Sequence, residues 1–268
     1  MKKLALAHLK GGVGKTTAAV NIAALAAEAS LSTLLVDMDP QAAASYVLRL
    51  GTGDGAKAKK LVSAKKSLRD CILATEYKDF DVLPATLSFR KLPQLLADEK
   101  GGKKRIGELL DTIGKGYDLV VVDAPAGLNF EVETILRSAD LVVVPLVPSP
   151  LARRSFEVFR EFAGKSKAMG RLRGFFSMVN GRRRVHQDTL REMEDSYPEI
   201  WRIEVPFSAT VERMTTEKAP ITHVKGGRRI AEQYRELWQR IAEELGFAAR
   251  QSRVAADAEV PGDAGAQL

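Results

Sequence analysis

The sequence predicts an α/β protein, a single domain with a mostly parallel twisted sheet and helices on both faces. Three observations lead there. Short apolar runs without polar interruption recur along the chain, among them 33–36 (TLLV), 117–122 (YDLVVV) and 140–144 (DLVVV). A strand buried on both faces reads as such a run, because neither side meets water. Longer Ala- and Leu-rich stretches separate the runs, which is the alternation that a parallel sheet with crossover helices requires. The 268 residues are 45% hydrophobic and 28% charged, the balance of a globular chain of one large or two small domains.

Taken in order, residues 4–9 read as a first strand running into glycines, and 16–29 as an Ala-rich helix. Residues 33–36 form a second strand ending at Asp37, and 41–50 a helix. Residues 51–66 are Gly/Lys-rich and read as an exposed segment. A brief strand at 81–83 precedes a helix at 87–97. Strands at 117–122, 140–144, 175–179 and 203–205 complete the set. The domain is expected over 1–247. Residues 248–268, rich in Ala, Gly and Asp, are expected to be a disordered tail. Ligands of such sheets bind beyond the carboxyl ends of the strands, which directs attention to Gly11, Asp37, Asp123 and Asn180.

No run approaches the roughly 18–20 apolar residues that cross a bilayer, and the basic start MKKLALAHLKGG lacks the length and cleavage site of a signal peptide. A single cysteine, Cys71, forms no internal disulfide, which predicts a reducing cytoplasm. His8, His186 and His223 have no metal-ligand spacing. The net charge is +7, and its kind changes along the chain. There are 15 Lys and 5 Arg through residue 150, then 4 Lys and 16 Arg through residue 250. Arginine is the better fork for phosphate, so the second half is the candidate polyanion surface.

Residues 10–17, KGGVGKTT, lie between a strand and a helix, the setting in which a glycine-rich loop cradles phosphate. Gly11, Gly12 and Gly14 let the backbone turn N–H groups inward, joined by those of Val13 and Thr17 near the helix N-terminus. Lys15 would reach the β- and γ-phosphates, and the Thr16 hydroxyl would ligate Mg²⁺. The general loop pattern has glycine at position 9; here Leu9 and Lys10 stand before Gly11.

In this form, KGGxGK[ST], the loop resembles that of the ParA/MinD family of deviant Walker ATPases, and within it the Soj-like ParA partition proteins. The resemblance extends over roughly 1–246 and implies ATP and Mg²⁺ as cofactors. It assigns Lys10 to the phosphates of a second copy across an ATP-sandwiched homodimer. Asp37-Met38-Asp39-Pro40-Gln41 matches the family's DxDPQ segment. By resemblance Asp39 positions the attacking water, and Asp37 lies nearer the metal. An alternative reading makes Asp39 a helix N-cap with Pro40 at the first helical position. YDLVVVDAPAG at 117–127 looks like the Walker B segment, with Asp123 near Mg²⁺; its DAPAG resembles the MinD branch. Asn180, after the strand at 175–179, and the loop at Pro206 are assigned to adenine by the same likeness.

The resemblance further implies a switch that dimerises on ATP, binds DNA non-specifically as the dimer, and hydrolyses ATP slowly, stimulated by a ParB-like or cargo adaptor. It would position or segregate DNA or a protein cargo, cytoplasmic and nucleoid-associated. Candidate DNA contacts are Arg153 and Arg154, the run Arg182-Arg183-Arg184, and Lys225 with Arg228 and Arg229. The rivals are a MinD-like or flagellar-type membrane ATPase and a metabolic ligase of the same fold. The last helix carries Ile230, Tyr234, Leu237, Trp238, Ile241 and Leu245 on one stripe, with Arg and Glu balanced on the other face. That pattern predicts docking on the core in place of lipid.

Overall fold

The strands that the sequence makes most apolar take the centre of the sheet. In a computed structural model describing residues 1–51, 56–62, 66–168 and 171–247, the order of elements is β1 (Lys2–Leu6), α1 (Lys15–Glu28), β2 (Thr33–Asp37), α2 (Ala43–Val47), α3 (Ala58–Val62), β3 (Leu73–Ala74), β4 (Phe80–Leu83), α4 (Leu92–Asp98) and α5 (Gly102–Ile113). Then come β5 (Leu119–Asp123), α6 (Phe130–Ser138), β6 (Leu141–Leu146), α7 (Ala152–Lys165), β7 (Leu172–Val179), α8 (Arg184–Ser196), β8 (Ile200–Pro206), α9 (Ala209–Glu217) and α10 (Arg228–Leu245). One eight-stranded sheet runs β3-β4-β2-β5-β1-β6-β7-β8. The β3–β4 pair is antiparallel and the others are parallel.

Alternate residues of each strand supply two cores. Val36, Val120, Val122, Val142 and Phe176 face α3 to α8. Leu35, Leu119, Val121, Val143 and Phe175 face α1, α2, α9 and α10. Each layer therefore seals one face of the sheet. The apolar stripe of α10 is buried from Ile230 to Leu245, so the last helix docks on the core as its pattern predicts. A polar staple holds that layer together. Buried Asn21 of α1 donates to the Thr17 carbonyl at 2.9 Å and accepts from the Ile221 amide at 2.8 Å.

Several elements differ from expectation. The helix expected over 41–50 is cut to Ala43–Val47, because the Ala42 amide closes a turn on the Asp39 carbonyl and Ala42 takes a left-handed φ of 53°. Asp39 and Pro40 thus belong to a turn, with Pro at its favoured second position, and the N-cap reading fails. The segment 51–66 is not wholly exposed, since Ala56, Ala58, Leu61 and Val62 are buried through α3. The helix expected over 87–97 is a 3₁₀ turn at Leu87–Lys91 followed by α4. No expectation covered α5, whose GGKKR opening reads as a loop although Ile106, Leu109, Leu110 and Ile113 form a buried stripe. The tail 248–268 lies outside the described residues. No helix among the described residues is long and apolar enough to cross a membrane.

Replacing Asn21 with Leu keeps its size but leaves the Ile221 amide unpaired in the core. The expected loss is about 1–3 kcal/mol of unfolding free energy, read from urea denaturation; an unchanged midpoint would remove the staple from the account.

Candidate functional site

Strand β1 stops at Leu6, and the chain turns over the sheet edge before α1 begins at Lys15. Left-handed φ values of 71° at Gly12 and 93° at Gly14 make that turn possible. Gly14 has a second reason to be glycine, since a Cβ there would sit 2.7 Å from the Ser177 hydroxyl. A Cβ at Gly11 or Gly12 would have no other residue within 4 Å beyond its chain neighbours, so the loop is open there. Its shape and the α1 N-terminus fit an oxyanion such as phosphate.

His8 locks the loop from behind. Its Nδ1 accepts the Lys10 amide at 2.9 Å, and its ring stacks on Phe159 with centroids 6.1 Å apart. Burial, reinforced by Lys15, pushes its pKa down to about 4, so the ring is neutral and packed, not catalytic. Lys15, at the first position of α1, is buried and folds back so that its Nζ donates to the Lys10 carbonyl at 3.2 Å. Burial lowers its pKa, and Asp123 and Asp39 oppose that effect.

Two carboxylates end neighbouring strands here, and one of them, Asp123, acts on this ammonium. Asp37 and Asp123 are register partners of β2 and β5, and both are fully buried. They differ in their bonds. Asp37 Oδ2 accepts from the amide and hydroxyl of Ser45 at 3.0 and 2.7 Å, and Oδ1 accepts from the Asp39 amide at 3.2 Å. Burial still raises its pKa to about 6. Neither oxygen of Asp123 has a hydrogen-bond partner. Its pKa is raised well above the usual range by burial and then by Asp37; the nearby Thr16 hydroxyl and Lys15 pull it down.

An unsatisfied buried carboxylate beside a hydroxyl at the start of α1 suits a hard divalent cation, which takes oxygen ligands and keeps several waters. The fit is through Asp123 and Thr16, because Asp37 spends its oxygens on the start of α2. Among the described residues no group of three or more His, Cys, Asp or Glu stands ready to hold a metal, so phosphate and water would complete the shell.

Asp39 lies half-buried at the same edge, its Oδ1 accepting the Gln41 amide at 2.9 Å. Pro206 lines a cleft of about 80 Å³ beside Gly14 and Thr17, with Met178, Phe207 and Tyr234. Two of these escaped the sequence reading. Phe207 is 62% exposed, an unusual position for a large apolar ring, and VPFS at 205–208 was the available signal. Met178 has a φ of 56° at a register shift between β7 and β8, which no sequence pattern reveals. Asn180 sits exposed at the end of β7, its Oδ1 taken by the Arg182 amide at 3.1 Å, and it is not among the residues lining the cleft.

The basic residues separate into two kinds. Arg153 is bound to Glu157 and Glu192 at 3.0 and 2.7 Å, and Arg184 lies 3.8 Å from Asp188. Arg154, Arg182, Arg183, Lys225, Arg228 and Arg229 are exposed. The Arg182–Arg184 run follows β7 at the sheet edge that holds the loop.

With the geometry in hand, comparisons with known proteins add the following. A model of the AAA domain family, AAA_31, matches residues 1–168. The chromosome-partitioning ATPase Soj of Treponema pallidum is 26% identical over 227 residues, 82% of this chain and 89% of that one. The chromosome partitioning protein ParA of Myxococcus xanthus is 32% identical over 150 residues, 53% of this chain; the match spans about half of that relative, 51%. Among solved structures, the ATP complex of a Cyanothece McdA variant aligns with a TM-score of 0.78 at 17% identity, covering 92% of this chain and 96% of that one. Cobyrinic acid a,c-diamide synthase of Mycobacterium smegmatis, with bound ADP and magnesium, gives 0.74 at 22%, covering 89% and 93%. At such identities the structural likeness establishes the fold alone.

The buried neutral state of His8 carries a pH signature. Its folded pKa lies below its unfolded value, so between pH 6.5 and about 4 the unfolded chain binds the extra proton and stability falls on acidification. Substituting Phe for His8 should flatten that part of the stability curve, measured by denaturant midpoints at several pH values. An identical slope in both proteins would show that His8 contributes none of it.

Proposed function

The chain belongs to the AAA domain family AAA_31 as a ParA-like P-loop ATPase, and from that premise we propose that it dimerises on Mg²⁺-ATP, binds DNA non-specifically as the dimer, and hydrolyses ATP slowly to position or segregate DNA or a protein cargo. The observation that carries the reading is the juxtaposition of the open loop, the folded-back Lys15 and the unsatisfied Asp123 carboxylate beside Thr16. Each of these groups lacks what a magnesium–phosphate pair would provide.

In this reading the amides from Gly11 to Thr17 hold the phosphates. Lys15 leaves the Lys10 carbonyl for the β- and γ-oxygens, a charge-assisted contact worth more than the bond it gives up. Thr16 and Asp123 hold the cation directly or through water, with Asp37 behind them fixing the geometry. Bound Mg²⁺ would supply charge neutralisation at the β- and γ-oxygens. Asp39 orients a water in line with the γ-phosphate. The Lys10 side chain makes no ion pair among the described residues, which leaves it available to a second copy. Phe207 offers its face to a base, with Pro206 beside it; Asn180 reaches the base only if its turn opens. A ParB-like or cargo adaptor would accelerate hydrolysis and release the DNA.

DNA contact falls to the basic residues that form no ion pair among the described residues. Arg182 and Arg183 are exposed beside the loop edge, with Arg154, Lys225, Arg228 and Arg229 as further contributors, whereas Arg153 is already paired with two glutamates. Such binding rests on counterion release and weakens steeply with salt.

Three variants test this. Lys15→Ala should weaken ATP binding about 10- to 100-fold, and Asp39→Ala should bind ATP but not turn it over; ATP affinity untouched by the first change would sink the phosphate cradle. Changing Arg182, Arg183 and Arg184 together to Glu should leave ATP binding intact and cut ATP-dependent retention on DNA. It should also lower the salt slope by about 2–3. Full retention would move the DNA face elsewhere.

A further inference from the structure

The cleft beside Gly14 has one weakly anchored wall. Ser208, Val211 and Glu212, at the start of α9, line it together with Pro206 and Phe207. Of the nine residues of α9 only Met214 is buried, so apolar packing does little to fix the helix. A segment with so little burial opens easily unless other contacts hold it. Its N-terminus is closed locally, since the Ser208 hydroxyl accepts the Thr210 amide at 3.1 Å. Its C-terminus ends at Lys218, which takes a left-handed φ of 52°, and the last helical carbonyls there need donors from outside the helix.

Arg49, just after α2, provides two. Its Nε donates to the Lys218 carbonyl at 3.2 Å, and its Nη2 donates to the Glu217 carbonyl at 3.1 Å. A guanidinium fork across the last carbonyls of a helix satisfies them and places positive charge at the negative end of the macrodipole. Beside it, Lys218 Nζ lies 4.4 Å from the centre of the Tyr46 ring, so a second contact joins the same two elements. Helix α2 is itself fixed. Ser45 at its centre is bound twice to buried Asp37, and Val47 and Leu48 are buried in the core that includes α1. The fork ties a loosely packed helix to a firmly packed one.

We propose that Arg49 is a positioning residue for the nucleobase: by clamping the C-terminal end of α9 to α2, it holds Phe207 and the α9 wall of the cleft where a base stacks. This rests on the reading above, in which Phe207 offers its face to a base. Arg49 is not among the residues lining the cleft, so it acts through α9. It also lies 3.7 Å from Glu76, with both side chains more than half exposed, and a pair of that kind contributes little. Arg213 and Glu217 bond to the backbone of Lys225. Those ties join α9 to the segment leading into α10 and do not fix it against α2.

The test separates base from phosphate. Dissociation constants for ATP and for inorganic triphosphate, each with Mg²⁺ and measured by calorimetry, give the share of affinity that the base contributes. Arg49→Ala should weaken ATP about three- to tenfold and leave triphosphate within about twofold. Arg49→Lys keeps the charge near Glu76 without the fork and should lose nearly as much. Glu76→Gln removes the ion pair alone and should change neither constant; a loss equal to that of Arg49→Ala would overturn the assignment to the carbonyl bonds. An Arg49→Ala protein that loses both ligands equally overturns the proposal. If the unaltered protein binds the two ligands alike, the base reading fails and the proposal with it. If it prefers ATP and Arg49→Ala prefers it as strongly, the proposal fails alone. A second readout needs no nucleotide. Arg49→Ala should speed amide hydrogen exchange in α9 about tenfold or more, with α10 unchanged, and unaltered exchange in α9 refutes the clamp.

Discussion

Two carboxylates buried side by side at the ends of adjacent parallel strands are the constraint on which the molecule turns. Asp37 and Asp123 are register partners, so the sheet that fixes their separation leaves them no means of moving apart. Their repulsion is met on one side by Ser45 and the Asp39 amide, and on the other by Lys15. Removing charge from water costs several kcal/mol per ion unless it is paired. The fold concentrates that cost at one edge and supplies one ammonium to offset it. The site is electrostatically incomplete, and this gives it affinity for a cation and an oxyanion together.

The remaining architecture keeps those groups in place. Strands β1, β2, β5 and β6 are apolar on both faces, so their register is set by two separate cores. A one-residue slip would exchange the faces of every side chain. Helix α1 carries the loop at one end and is held to the α9–α10 region by Asn21. The α7 face reaches the same loop through Phe159. The loop is therefore braced from both sides of the sheet.

Most of this was legible where local chemistry and sequence order coincide. The glycines, Lys15 and Thr16 are consecutive, and the strands that end in Asp37 and Asp123 declare themselves by unbroken apolarity. What stayed hidden depends on contacts between distant residues. Helix α5 opens with residues that read as a loop, and its stripe acquires meaning only against α4 and α6. The truncation of α2 follows from one left-handed alanine, Ala42. Glu131 looks like an ordinary first-turn acid in the sequence; its burial is what sets it apart. Charge runs were the least legible of all, since Arg153 and Arg182 look alike until the glutamates around Arg153 are placed.

The bond between the Lys10 amide and His8 has a consequence for the identity of residue 8. Because Nδ1 is the acceptor, the neutral ring must carry its proton on Nε2. The ring face must also remain flat and apolar against Phe159. Position 8 thus combines two demands, a lone pair on one edge and an aromatic surface on the face, and of the twenty side chains only neutral imidazole meets both. A phenyl ring would keep the stack and leave the Lys10 amide unbound, whereas an amide side chain would keep the bond and lose the stack. A side chain that titrates near neutrality in water is here held in one protonation state and one tautomer by the backbone geometry.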